Sequence, residues 1–157
     1  MSNDDQLQII LRLLAALLIG GLIGAEREHR GHAAGIRTMG MVSLGSCLFT
    51  ASGFFLLAGH TTDPTRIAAQ VVTGVGFLGA GAIFRSGDDV RGLTTAATVW
   101  VTAALGMAAG FGLFILAGVG TAVVLLGLIL IRPLEARVFH QRRNLPTPID
   151  GNHPDIP

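Results

Sequence analysis

Five long runs of apolar residues dominate the chain. They span Leu7–Ala25 (broken only by Gln8 and Arg12), Ile36–Gly59, Ile67–Phe84, Leu93–Ala109 and Phe111–Ile131. Each holds about 17–24 residues, enough at 1.5 Å rise per residue to cross a hydrocarbon core of roughly 30 Å. The runs are continuous, whereas barrel strands alternate in polarity over about ten residues. In lipid, backbone groups must be satisfied within the segment, so such runs are helices. The pattern predicts an all-α, polytopic membrane helix bundle of about five transmembrane helices over residues 1–132. A polar cytoplasmic tail, residues 133–157, follows; the four prolines between Pro146 and Pro157 point to partial disorder there. The start, Met1-Ser2-Asn3-Asp4-Asp5, is acidic, whereas a cleaved secretory signal opens with a basic region, so the first run is read as a retained anchor.

The polar loops set the orientation. All 11 basic residues are Arg. With the C-terminus inside, Arg27, Arg30, Arg37, Arg85, Arg91, Arg132, Arg137, Arg142 and Arg143 are cytoplasmic, and only Arg12 and Arg66 lie outside. The positive-inside rule therefore predicts an N-out, C-in topology.

Small residues mark the faces that meet. Thr94, Thr98, Thr102, Gly106 and Gly110 recur every four residues along one side of the fourth run, and Ala16, Gly20 and Gly24 do the same in the first. Gly76, Gly79 and Ala80 supply a similar surface in the third. Such spacing lets membrane helices approach closely. The fifth run has fewer small residues and is expected at the periphery. Gly21-Leu22-Ile23-Gly24-Ala25, followed by a charged loop and Gly35-Ile36-Arg37-Thr38, is echoed by Gly76-Phe77-Leu78-Gly79-Ala80, a charged loop and Gly92-Leu93-Thr94-Thr95. This suggests two parallel two-helix repeats related by an axis along the membrane normal.

Composition narrows the function classes. Half the residues are hydrophobic and 13% are charged, against about 25% charged in soluble domains. A net charge of +1 gives no basic field for nucleic acid. The single cysteine, Cys47, excludes an intramolecular disulfide. Gly74-Val75-Gly76-Phe77-Leu78-Gly79 matches the dinucleotide fingerprint as a string, but it lies inside an apolar helix without the preceding strand that motif needs. No Ser-His-Asp, Cys-His or structural zinc spacing occurs, so the chain is not read as an enzyme.

Candidate chemistry sits at the run ends. Glu26 and Glu28, in Glu26-Arg27-Glu28-His29-Arg30-Gly31-His32, could ligate Mg²⁺, which keeps several waters and needs only one or two carboxylates. Glu26 borders the apolar run and needs a partner there; Arg37 is the natural candidate, and Arg30 is its i, i+4 neighbour. Asp63 is placed to cap the third helix, with Arg66 and Gln70 following. Asp88 and Asp89 are read as a turn and helix start.

Several ordered blocks resemble the MgtC/SapB family of membrane proteins. They are Gly24-Ala25-Glu26-Arg27-Glu28, Ala34-Gly35-Ile36-Arg37-Thr38, the run from Asp63 to Gly81, and Arg91-Gly92-Leu93-Thr94-Thr95-Ala96-Ala97-Thr98-Val99-Trp100. The resemblance covers about residues 7–130. It implies a five-helix protein of the bacterial inner (cytoplasmic) membrane, associated with growth at low Mg²⁺ and, in virulence-type members, with survival inside host phagocytes. It also implies action on another membrane protein, such as a transporter or the F-type ATP synthase. The family's polar positions fall on Glu26, Arg27, Glu28, Arg37, Thr38, Asp63, Arg66, Gln70, Arg91, Thr94 and Thr95. Thr94 stands where virulence-type members carry Asn, and the chain stops before the cytoplasmic C-terminal domain of longer members; both favour a short, housekeeping member. The alternative is an ion transporter or channel, for Mg²⁺ or another cation, with Glu26, Arg37, Gln70, Thr94, Thr95 and Thr98 forming a polar site between the first four helices. Membrane lipid and a second membrane protein are the expected partners, and a bundle this small fits a homodimer.

Overall fold

A computed structural model describes residues 3–56, 63, 65–87 and 89–139. The protein is mostly helical: α1 (Asn3–His29), α2 (Ile36–Leu56), α3 (Thr65–Gly81), α4 (Leu93–Gly110) and α5 (Phe114–Phe139). Two of these, α1 and α4, are long and apolar enough to cross a membrane among the described residues, and the apolar part of α5, Phe114–Leu130, is shorter. The chain divides into two units at Leu125/Leu126. In the second unit, helix continues to Phe139, past the Arg132–Pro133 step where the polar tail is expected to begin. The rest of that tail, the loop residues 57–62 and 64, and Asp88 lie outside the described residues.

One element departs from the all-α expectation. Between α3 and α4 the charged loop forms a two-stranded antiparallel hairpin, β1 (Phe84–Ser86) with β2 (Asp89–Arg91), in the register Phe84↔Arg91, Arg85↔Val90 and Ser86↔Asp89. Gly87, at φ 61, follows β1 with the positive φ that tight hairpin connections favour. The exposed pair Asp89–Arg91, 2.8 Å apart, lies within β2 rather than at a helix start.

Packing in the first unit is built on small residues. In α1 the buried face is Arg12, Ala16, Ile19, Gly20, Ile23, Gly24 and Arg27, a stripe at helical spacing. A Cβ on Gly20 would lie 2.8 Å from the Gly40 Cα, and one on Gly24 would lie 2.5 Å from the Ile36 Cα, so α1 and α2 touch backbone to backbone. On the other side of α2, a Cβ on Gly106 would meet the Ser43 Cα at 2.8 Å, and one on Gly110 would meet the Cys47 carbonyl at 2.8 Å, which brings α4 equally close. Thr98 and Thr102 are buried in the same region of α4. The polar side chains inside are largely served by their own helices: Ser46, Thr50, Thr98 and Thr121 each donate to the carbonyl four residues back, at 2.6–2.9 Å.

Helix α3 packs mainly on α4, where Gly79 faces the backbone of Ala96, and less on α2. The small-residue surface expected around Gly76 and Ala80 is not used: nothing described lies within 4 Å of a Cβ placed at Gly76, and Ala80 is exposed. The helical phase explains this. Val75 and Gly79 are the buried positions, Gly79 against Ala96 of α4 and Val75 lining a cavity with Met41, Val42 and Ser46 of α2, which turns Gly76 and Ala80 outward.

Small residues are heavily represented inside, and many large apolar ones lie outside. Glycine, alanine, serine and threonine make up much of the interior beside Ile23 and Met39, whereas Leu14, Leu18, Phe77, Ile115, Leu116 and Val123 are more than half exposed. Exposed apolar surface on this scale suits a lipid environment and small-residue helix packing.

Candidate functional site

A glycine-terminated helix end sets the geometry at the α1–α2 corner, and a second one recurs at the end of α4. Helix α1 closes with Gly31 at φ 72; its N–H bonds the Glu28 carbonyl at 2.9 Å, and the His32 N–H bonds the Arg27 carbonyl at 3.0 Å. This is the Schellman closure, for which glycine is favoured because the left-handed conformation carries no Cβ penalty. Gly112, at φ 79, ends α4 in the same way, with Gly112 N–H on Ala109 and Leu113 N–H on Ala108, both at 2.9 Å. The chain turns sharply after each: α2 runs back along α1, and α5 begins two residues after the Gly112 turn.

At the corner, Glu28 reaches across the loop. Its Oε2 accepts a hydrogen bond from the Ile36 N–H at 2.9 Å, capping α2 from outside that helix. One unsatisfied N–H is thereby served, with a negative charge at the positive end of the helix dipole. Glu28, Arg37 and Thr38 line a cleft of about 310 Å³ with His32, Ala33 and Gly35. Replacing Glu28 with alanine is expected to fray the first turn of α2 at a cost of about 0.5 kcal/mol, the low end for a cap because water competes at this exposed site. Glu28→Gln, which keeps an acceptor, should cost less. Amide exchange at Ile36 and Arg37 reads the difference; equal protection in both variants would remove the capping role.

Glu26 does not pair with Arg37. Arg30, one turn on, places its Nε 2.5 Å from Glu26 Oε1, and the Glu26 side chain is 10% exposed. The i, i+4 neighbour wins because both groups lie on one face of α1, while Arg37 is exposed on α2. Glu26 and Glu28 are therefore engaged in different contacts. Among the described residues no group of three or more His, Cys, Asp or Glu is placed to hold a metal ion.

Two arginines of α1 make longer connections. Arg27, 2% exposed, donates from Nη2 to Thr95 Oγ1 at 2.7 Å, at the start of α4. Arg12, 7% exposed, donates from Nη1 to the Gly110 carbonyl at 2.8 Å, at the end of α4. The two are roughly 22 Å apart along α1, so α1 is fastened to α4 at both ends. At Gly110 the cation also faces the negative end of the α4 dipole. Neither role is visible in the local sequence, although the helical phase places both arginines on the stripe of Ala16, Gly20 and Gly24.

The remaining candidates are spread out. Thr94 is exposed next to the part-buried contact of Thr95. Asp63, Arg66 and Gln70 are exposed at the start of α3, roughly 20 Å along that helix from the end that leads to α4. The structure thus assembles Glu28, Arg37 and Thr38 at one corner and Arg27 with Thr95 beneath them. It does not bring Glu26, Arg37 and Gln70 to a common point.

The family model described as the MgtC family matches residues 13–137. A relative named Protein MgtC from Salmonella choleraesuis is 46% identical over 145 residues, which is 90% of this chain and 58% of that protein. A Protein MgtC from Brucella abortus is 48% identical over 122 residues, covering 78% of this chain and 50% of its own. An uncharacterised protein of Synechocystis is 44% identical over 132 residues, 84% of this chain and 56% of that one. The chain spans a little over half the length of the curated relatives it matches. No solved structure matches it.

Proposed function

The chain belongs to the MgtC family, and from that premise we propose that it is a multi-pass bacterial inner-membrane protein linked to Mg²⁺ homeostasis that works by binding and regulating another membrane protein. The observation that carries the regulatory reading is where the polar groups point. A carrier needs convergent polar groups lining a shared path. Here Arg12, Arg27, Glu26 and Glu28 are each engaged within the protein, and Gln70 and Arg66 lie apart from them. Meanwhile α1, α3 and α5 present broad exposed apolar surfaces on which lipid or a second membrane protein can lie. The N-out, C-in orientation, five crossings and the parallel two-helix repeat belong to this proposal; the excess of Arg in alternate loops supports the orientation.

Three measurements bear on regulation against transport. A deletion strain of the native host is expected to grow poorly at limiting Mg²⁺, and the tagged chain crosslinked in its own membrane is expected to carry a second membrane protein. Purified protein in proteoliposomes is expected to show no Mg²⁺ flux above empty vesicles. Flux that disappears in Glu26→Ala would overturn the regulatory reading in favour of a cation path.

A further inference from the structure

Glu28 and Arg37 line one cleft, of about 310 Å³, yet they form no ion pair with each other. Four of its six lining residues, Glu28, His32, Arg37 and Thr38, are polar or charged. Glu28 spends one oxygen on the Ile36 N–H. The Arg37 side chain is exposed and has no hydrogen bond or ion pair with any described residue, and the same holds for the Thr38 side chain. Opposite charges left apart in one cleft suit a ligand that carries both. A second space lies further along α2. Arg37 stands one turn before Met41, and Thr38 one turn before Val42, on shared faces of the helix. Met41 and Val42 open the α2 wall of a groove of about 220 Å³, which continues past Gly45 and Phe49 and has Gly74 and Leu78 of α3 on its other side. A Cβ at Gly45 or at Gly74 would meet nothing within 4 Å, so the groove is the room left by two missing side chains.

We propose that cleft and groove together bind one aminophospholipid, with its phosphate at Arg37 and Thr38, its ammonium at Glu28 and an acyl chain between α2 and α3. Each part of the ligand answers one part of the site. The planar guanidinium fork matches phosphate oxygens, and the Thr38 hydroxyl adds a neutral donor. An ionised carboxylate offers about four lone-pair positions, so the bond to Ile36 leaves Glu28 able to accept from an ammonium. A choline head brings the same charges but no N–H to donate. A glycerol head brings a net negative charge and nothing to offset Glu28. A zwitterionic metabolite without chains would leave the groove unused, and its apolar walls, with Met41 and Phe49 exposed beside it, are what a lipid tail fits. The inference rests on the proposed membrane placement and adds to it a chosen lipid at the corner where α1 meets α2.

The test uses the full chain, purified in detergent, stripped of lipid, and offered phosphatidylethanolamine, phosphatidylglycerol or phosphatidylcholine with identical chains, with native mass spectrometry as readout. Retention of one phosphatidylethanolamine, about tenfold over either competitor, is expected, the size of one charge-assisted hydrogen bond. Glu28→Gln, which keeps an acceptor for Ile36, should abolish the preference for phosphatidylethanolamine. Arg37→Gln should weaken retention of all three lipids, since each carries the phosphate. Gly45→Leu, which fills the groove and leaves the charges in place, should weaken all three as well. Phosphoethanolamine, a head without chains, should not compete. Equal retention of the three lipids by the wild type, or an unchanged preference in Glu28→Gln, would overturn the proposal. Competition by phosphoethanolamine would overturn the groove's part in it. Should Glu28→Gln fail to fold, Arg37→Gln and Gly45→Leu decide; wild-type-like retention in both counts against the site. A chain that stays monodisperse without detergent would instead sink the membrane placement, a result separable from any lipid preference.

Discussion

Leucine in place of Gly20 or Gly106 is expected to leave almost no folded protein in the membrane, while leucine in place of Gly76 is expected to be tolerated. The three glycines sit in similar apolar helices, and sequence gives no reason to rank them. The structure does. A Cβ at Gly20 would be driven onto the backbone of Met39 and Gly40, and one at Gly106 onto the backbone of Ser43. Backbone cannot swing aside as a side-chain tip can, so relief requires α1 or α4 to move off α2. Overpacking of this kind costs about 3 kcal/mol or more, a large fraction of the margin of a small domain. At Gly76 a Cβ meets no described atom within 4 Å, and leucine is the better helix former. Fluorescence-detected size exclusion of the variants checks the ranking; a Gly20→Leu protein eluting and melting like wild type would refute the backbone contact.

The second large effect is expected at the Arg27–Thr95 contact. A hydrogen bond from a charged donor contributes more than a neutral one, and this donor is almost wholly buried. A double-mutant cycle with Arg27→Ala and Thr95→Ala should give a coupling of about 1.5 kcal/mol, near the upper end for hydrogen bonds between membrane helices. The Arg27→Ala single variant should lose more than Thr95→Ala, because the guanidinium stem also packs between helices. Arg27→Lys should not restore the coupling, since a compact ammonium lacks the planar fork. Reversible unfolding in mixed micelles provides the measurement, and a coupling within about 0.3 kcal/mol of zero would make the contact incidental.

The helices were legible in the sequence because their signal is coarse: long apolar runs separated by polar residues place α1, α2 and α4 to within a few residues. The hairpin was not, since three-residue strands are too short to show a period, although Gly87-Asp88 is a turn signal. The candidate site divides along similar lines. Thr95 and Glu28 are flagged by resemblance, but their contacts are not local. Glu28 caps a helix that begins eight residues later, and the acceptors of Arg12 and Arg27 lie 98 and 68 residues away. Periodicity assigns a residue to a face and says nothing of which atom on another helix completes it. The same limit explains Gly76 and Ala80: small-residue spacing marks a surface that can pack, and the partner's position decides whether it does.

Because Arg12 and Arg27 fasten α1 to the two ends of α4, with α2 in backbone contact with both, these three helices have little freedom to slide. Helix α3 lies outside these two arginine bonds and packs on α4 where Gly79 faces Ala96. Any displacement transmitted from a bound neighbour would therefore be taken up by α3 and the hairpin that ties it to α4. The triad would serve as the fixed frame against which α3 moves, and the slowest-exchanging amides would belong to α1, α2 and α4.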